Sequence, residues 1–395
     1  MSTFMKTDQD RIKSLTEYVQ GLLDKENGRE LYFKYRTYIE RVTPQEVFEI
    51  FHLILQKGIK PKEILTVLDK AINVFYKSLS NYTWKWPDKD SFMDYLMREN
   101  RALEEKLEGI KEIIKDMSSE AGKKELILRM HELRKFNDHY LKKENILFPY
   151  LEKKMKKFDG LAIMWALHDE ARAQLKKVIE CLEAEGCIEG EFNSELGKLF
   201  FDMYGLVQKE ELILFPAASE IITDDEWLEM QRQSMGYEFP FIERPEPADN
   251  EYIPGIKEGC RFETETGALD FNEILAIFDA LPVDLTFVDE NNKVKFFTKP
   301  KDRIFPRSPA VIGRDVEKCH PPESVHVVNE ILDAFKEGRK DNAVFWIRVK
   351  GRMILIQYFA VRDSVGRYLG TLEASQDITD IIKLEGERRL LQFNK

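Results

Sequence analysis

The chain has 395 residues, 33% charged and 43% hydrophobic, a globular composition with length enough for two or three domains. Its net charge of −11 argues against a general nucleic-acid or anionic-membrane binder, since such surfaces carry a basic excess. No apolar stretch reaches bilayer-spanning length, Met1 to Asp10 has no signal-peptide core, and four cysteines without a C-x-x-C pair exclude a disulfide scaffold or zinc finger, so a reduced, cytoplasmic, multidomain protein is expected.

Residues 1–85 read as a helical domain. Ile12, Leu15, Val19, Leu22 and Leu23 recur at helical spacing. Thr43-Pro44-Gln45-Glu46 has the form of a capping box with Pro at the first helical position. The helix it opens should bury Val47, Phe48, Phe51 and Leu55, and Pro61 should start another through Ile64, Leu65, Leu68, Ile72 and Phe75. His52, alone on its helix, is expected to be structural.

Residues 86–240 read as long amphipathic helices near 91–115, 123–154, 161–185 and 191–222, with a further helix opened by Thr223-Asp224-Asp225-Glu226. Four long helices with short polar links predict an antiparallel four-helix bundle. A Pro-rich linker, 241–266, follows, with Pro240, Pro245, Pro247 and Pro254 in or beside it. Residues 267–395 turn towards period two: a hairpin about Asp289-Glu290-Asn291-Asn292, a helix near 323–336, and strands near 343–349, 353–361 and 368–374. That is an α+β domain on an antiparallel sheet. The fold class expected is multidomain, α plus α+β.

An internal repeat runs through the bundle. Asp94-Tyr95-Leu96-Met97-Arg98-Glu99-Asn100 matches His139-Tyr140-Leu141-Lys142-Lys143-Glu144-Asn145, and Glu144-Asn145-Ile146-Leu147-Phe148-Pro149 matches Glu211-Leu212-Ile213-Leu214-Phe215-Pro216. His168 lies on the remaining long helix. Asp94, Glu99, His139, Glu144, His168 and Glu210 or Glu211 thus form a candidate metal set contributed by four helices, of a kind that suits non-haem iron, manganese or zinc. Each carboxylate taken alone also fits a solvated helix face. His131 is eight residues from His139, roughly 12 Å along a helix, too far to share one centre with it. His139 and Glu144 are five apart, about 140° around a regular helix, so they share a face only across an over-wound turn or a π-bulge.

Residues 85–240, through His139…Glu144-Asn145…Leu147-Phe148-Pro149 and Met164-Trp165…His168-Asp169-Glu170, resemble the hemerythrin HHE cation-binding family. Residues 10–80 resemble the helical DUF438 domain, and residues 267–390, through Phe305-Pro306-Arg307…Cys319-His320-Pro321-Pro322, look like a PAS domain. The resemblance implies a bridged iron site that meets oxygen, nitric oxide or redox change. The chain departs from that pattern at Ser91 and Asp94, at Ala71 and at Leu206, where relatives carry His. The surviving set is carboxylate-rich, closer to di-iron or di-manganese carboxylate proteins than to an oxygen carrier, with loss of the metal altogether an alternative.

In the PAS-like domain Cys319, His320 and His326 are the candidate cofactor-binding groups. His326 opens the helix that supplies the axial His in haem PAS domains, but His320 before two prolines reads as a helix entry and His326 as surface, so haem is disfavoured and the ligand is left open. Cys181 and Cys187 read as thiols. An amphipathic helix through Ile381, Ile382, Leu384, Leu390 and Leu391 would dimerise the protein or pass signal to an output partner. Three functions follow as expectations: a sensor coupling a metal bundle to a PAS domain, a di-metal enzyme reducing oxygen, peroxide or nitric oxide, or a metal-free scaffold.

Overall fold

The computed structural model describes residues 8–115, 120–155, 157, 159–184, 189–246, 261–300 and 303–387. It has the expected composition of folds, divided into two compact units, Met1–Ala248 and Asp249–Lys395.

The first unit is helical. It opens with α1 (Gln9–Leu23), α2 (Gly28–Ile39), α3 (Pro44–Gln56) and α4 (Pro61–Ser80). The Thr43 box forms as expected: Thr43 Oγ1 accepts from Glu46 N–H while the Glu46 carboxylate accepts from Thr43 N–H. His52 finds a partner in Asp159, at 3.1 Å. Helix α5 (Phe92–Ile114) starts the bundle. Its second helix is a continuous run: α6 (Glu120–Leu133), a 3-10 turn, α7 (Asn137–Lys142), a π-helical segment Lys143–Leu147, and α8 (Phe148–Lys154). Helix α9 (Leu161–Glu183) returns, and α10 (Glu189–Lys209) passes through a second π segment, Glu210–Leu214, into α11 (Phe215–Ile221), with α12 (Asp224–Ser234) behind its own Thr223 capping box. The long helices pack in a ring: α5 on α6, α6 on α9, α9 on α10 and α10 on α5. One apolar core runs on from the amino-terminal helices, with Phe48, Phe51, Leu68 and Ile72 meeting Ile163, Met164, Ile213 and Leu214.

Both π segments directly precede a Phe-Pro step. Proline lacks an N–H and its ring presses on the carbonyl four residues back, so widening that turn relieves the clash and keeps the helix running.

The second unit opens with a hairpin, β1 (Arg261–Thr264) and β2 (Gly267–Asp270), where the linker was expected to end. Helix α13 (Phe271–Ala280) follows, where the sequence reading placed no helix; Asp270 and Glu273 close a capping box at its start. Then come β3 (Asp284–Asp289), β4 (Val294–Phe297), α14 (Val325–Lys336), β5 (Asn342–Val349), β6 (Arg352–Arg362) and β7 (Tyr368–Asp377). The five-stranded antiparallel sheet has the order β4-β3-β7-β6-β5. The buried face of β3 is its polar one. Asp284, Thr286 and Val288 are the buried positions, not Leu285 and Phe287. Asp284 tolerates this because its carboxylate accepts the N–H groups of Ile304 and Phe305. After Asp377 the described chain makes a 3-10 turn, Ile381–Lys383, rather than the expected amphipathic helix; Leu390 and Leu391 lie outside the described residues. Cys181 is disulfide-bonded, not the thiol expected, while Cys319 is a thiol and Cys187 lies outside the described residues.

Candidate functional site

The bundle core holds an ion-paired cluster carried on three of its long helices and on the second π segment. Glu99, His139, Lys143 and His168 have no exposed surface, and Lys142, Glu144 and Glu210 are each 1% exposed. His139 sits between two carboxylates: Nδ1 lies 2.8 Å from Glu99 Oε2 and Nε2 lies 3.0 Å from Glu210 Oε2. Lys142 Nζ donates to Glu99 Oε1, and Lys143 Nζ donates to Glu210 Oε1. Asn100 Nδ2 donates to Glu210 Oε2 at 3.0 Å. Glu144 takes His168 Nδ1 at 2.8 Å and Arg172 Nη2 at 2.9 Å. The rings are packed as well: Phe136 stacks on His139 at 4.5 Å, and Tyr140 on His168 at 4.6 Å.

Burial and charge act against each other here. Burial raises the Glu210 carboxyl, but the Lys143 and His139 charges, with the His139 hydrogen bond, win and hold it well below the usual carboxylate range. Burial lowers the Lys142 and Lys143 ammoniums, and Glu99 and Glu210 pull them back up. Burial, followed by the charges of Lys143 and Arg172, keeps the His168 imidazole well below its ordinary value. Tyr140 is pushed up, chiefly by burial.

Of the sequence-derived set, Glu99, His139, Glu144, His168 and Glu210 meet in this cluster. Asp94 does not: it sits in the first turn of α5, accepting from Asp90 N–H at 2.9 Å. Glu211 points to the other side, where burial and Glu104 raise its carboxyl. His131 pairs at the surface with Glu183, at 2.7 Å. The sequence reading missed Lys142, Lys143 and Arg172, the three cations that face the carboxylates.

A metal centre needs several lone pairs aimed at one unfilled point. Here both oxygens of Glu99 and of Glu210 already receive N–H groups, as does the Glu144 carboxylate, and His139 has both ring nitrogens engaged. His168 Nε2 and Tyr140 OH are buried without a hydrogen-bond partner, but one imidazole nitrogen and one phenol do not make a metal site. Among the described residues no group of three or more His, Cys, Asp or Glu is placed to hold a metal ion. The residues present do not fit the iron that the family resemblance implies.

The α+β unit has its own buried polar cluster. Arg307 on the loop after β4 faces Glu373 of β7 at 3.7 Å, and its Nε is buried with no hydrogen-bond partner. Both act on Tyr358 of β6, whose hydroxyl is raised by burial, and on His320, whose ring is lowered by burial. His320 Nδ1 contacts Val316 O at 2.8 Å, at the end of a 3-10 turn, Val316–Cys319. Cys319 Sγ donates to Asp315 O at 3.7 Å, and His326 is exposed, away from any interior ligand.

Residues 91–218 match the hemerythrin HHE cation-binding domain and residues 274–379 match a PAS domain. The chain carries a hemerythrin HHE domain and a PAS domain. No curated protein matches it. Among solved structures it is similar to a C-terminal domain from Streptococcus mutans, at 28% identity over 32% of this chain and 98% of that one, with a TM-score of 0.31. A PAS domain from Colwellia psychrerythraea matches at 18% identity over 28% and 97%, with a TM-score of 0.23. A sensory box sensor histidine kinase from Vibrio cholerae matches at 12% identity over 27% and 89%, with a TM-score of 0.22. No helix is long and apolar enough to cross a membrane among the described residues.

Proposed function

We propose that this protein is a signal-responsive regulator whose PAS domain receives a small polar ligand bearing a carboxylate or comparable acceptor. The observation that carries the reading is Arg307 Nε, a buried donor with no hydrogen-bond partner on a guanidinium that faces Glu373, beside Tyr358 and His320. An unpaired buried donor is unfavourable by about 1–3 kcal/mol, more when charged, which an acceptor oxygen on a ligand would recover. Oxygen, nitric oxide or redox sensing through iron, and di-metal reduction of oxygen, peroxide or nitric oxide, both need a metal in the bundle, and the donor set there weighs against them. The output passes to a partner protein or to a second copy of the chain.

Native mass spectrometry of the full chain, with melting curves in the presence of mono- and dicarboxylates, tests this. A bound small molecule, or stabilisation by a carboxylate, that Arg307→Met abolishes is the expected result. Native protein that neither carries nor responds to any of them, but shifts its melting curve with oxygen or a nitric oxide donor, would return the signal to the bundle.

A further inference from the structure

We propose that Lys142 and Lys143 take the place of metal cations in this hemerythrin-type bundle, so that its core is neutralised by the chain itself and does not take up iron. This stands apart from the reading of the PAS domain.

The first observation is positional. The repeat that aligns Glu144…Pro149 with Glu211…Pro216 also aligns Lys143 with Glu210, the first residues of the two π segments. These two equivalent positions face one another across the core and form an ion pair. The cation and the anion are thus supplied by the same structural device on opposing helices.

The second is that the ammonium sites are built. Lys142 Nζ donates to Glu238 O at 3.0 Å and lies 4.0 Å from the centre of the Phe239 ring, in addition to Glu99. Lys143 Nζ lies 5.0 Å from the Tyr140 ring centre. The carbonyl oxygen and the aromatic faces give the ammoniums contacts besides their carboxylates.

The third is charge. Glu99, Glu144 and Glu210 face Lys142, Lys143 and Arg172, with His139 between Glu99 and Glu210; all of these but the partly exposed Arg172 are buried. A divalent ion entering this set would have to expel an ammonium or sit beside one, where low dielectric makes like charges repel strongly.

Metal analysis of the full chain decides the matter. The protein is expressed in iron-rich medium and, separately, reconstituted anaerobically with Fe(II), Mn(II) or Zn(II). We expect no metal above background after desalting and the same melting temperature with and without EDTA. One or two equivalents of metal, lost in Glu210→Gln, would overturn the proposal. As a second measurement, Lys143→Met should lower the melting temperature of the helical unit by roughly 10 °C, with partial recovery in the double variant Lys143→Met/Glu210→Gln, which removes both charges. A melting temperature unchanged in Lys143→Met would also overturn it. If Lys143→Met yields no folded protein, the metal content of the native chain decides alone.

Discussion

At Asp202, on α10, a half-buried carboxylate lacks the partners that Glu210 enjoys. Burial, and then the nearby charge of Glu170, raise its carboxyl to about 6, and Oδ2 has no hydrogen-bond partner. A group whose folded pKa lies above its unfolded value of about 3.9 binds more protons in the folded state between those limits, so stability falls as pH rises from about 4 through 6. Asp202→Asn copies the protonated form. It should stabilise the helical unit at pH 8 by about 1 kcal/mol, a figure discounted for the solvent that reaches this side chain, and the gain should shrink as pH falls from about 6 towards 4. Urea unfolding at matched pH measures this, and a gain that does not vary with pH would refute it. The same scale explains what the sequence concealed. Glu99 and Glu144 were legible as inward carboxylates because the repeat or an apolar run marked their places, whereas the repeat marked Glu211 and left Glu210 as its alternative. Lys142, Lys143 and Arg172 were not, because a lysine or arginine on a helix is normally solvated and only a buried partner on another helix brings it inside.

Elements were easier to read where the cause is local. Both threonine boxes form as their residues predict, and the bundle helices fall close to the expected windows. The awkward five-residue spacing of His139 and Glu144 pointed to an irregular turn, and a π segment occupies Lys143–Leu147. Its effect was not legible: His139 turns to Glu99 and Glu210 while Glu144 turns to His168 and Arg172. In the PAS domain the strands were readable but the buried face of β3 was not, since a buried Asp284 needs loop N–H groups that period-two patterning does not see. Sheet pairing also sets a sharp local demand at Gly370, opposite Asp289 in the β3–β7 ladder. Its φ is +150°, and a Cβ there would lie 2.1 Å from Val288 O and 2.8 Å from the Phe287 ring. Neither a backbone carbonyl in a ladder nor a packed ring can yield by that much. Gly370→Ala should therefore destabilise the PAS unit by about 3 kcal/mol or more. Chemical denaturation followed by near-ultraviolet circular dichroism reads the loss, and a change below about 1 kcal/mol would contradict this account of the ladder.

For the whole molecule, the division into Met1–Ala248 and Asp249–Lys395 makes cooperativity a question with a definite answer. The helical unit has one continuous core joining its amino-terminal helices to the bundle, and the PAS unit has a separate small core about Val288, Val294, Val311 and Leu332. Units with separate cores unfold separately unless binding energy between them is large. Calorimetry of the full chain should thus show two transitions. Lys143→Met should move the one that belongs to the helical unit and leave the other in place. A carboxylate ligand at Arg307 should raise the PAS transition alone, by about 2.7 kcal/mol of added stability at a hundredfold excess over Kd. Arg307→Met should abolish that response while the helical transition stays put. If the ligand instead moved both transitions together, the two units would share binding energy, and the PAS domain would then be reporting its state to the bundle through that coupling.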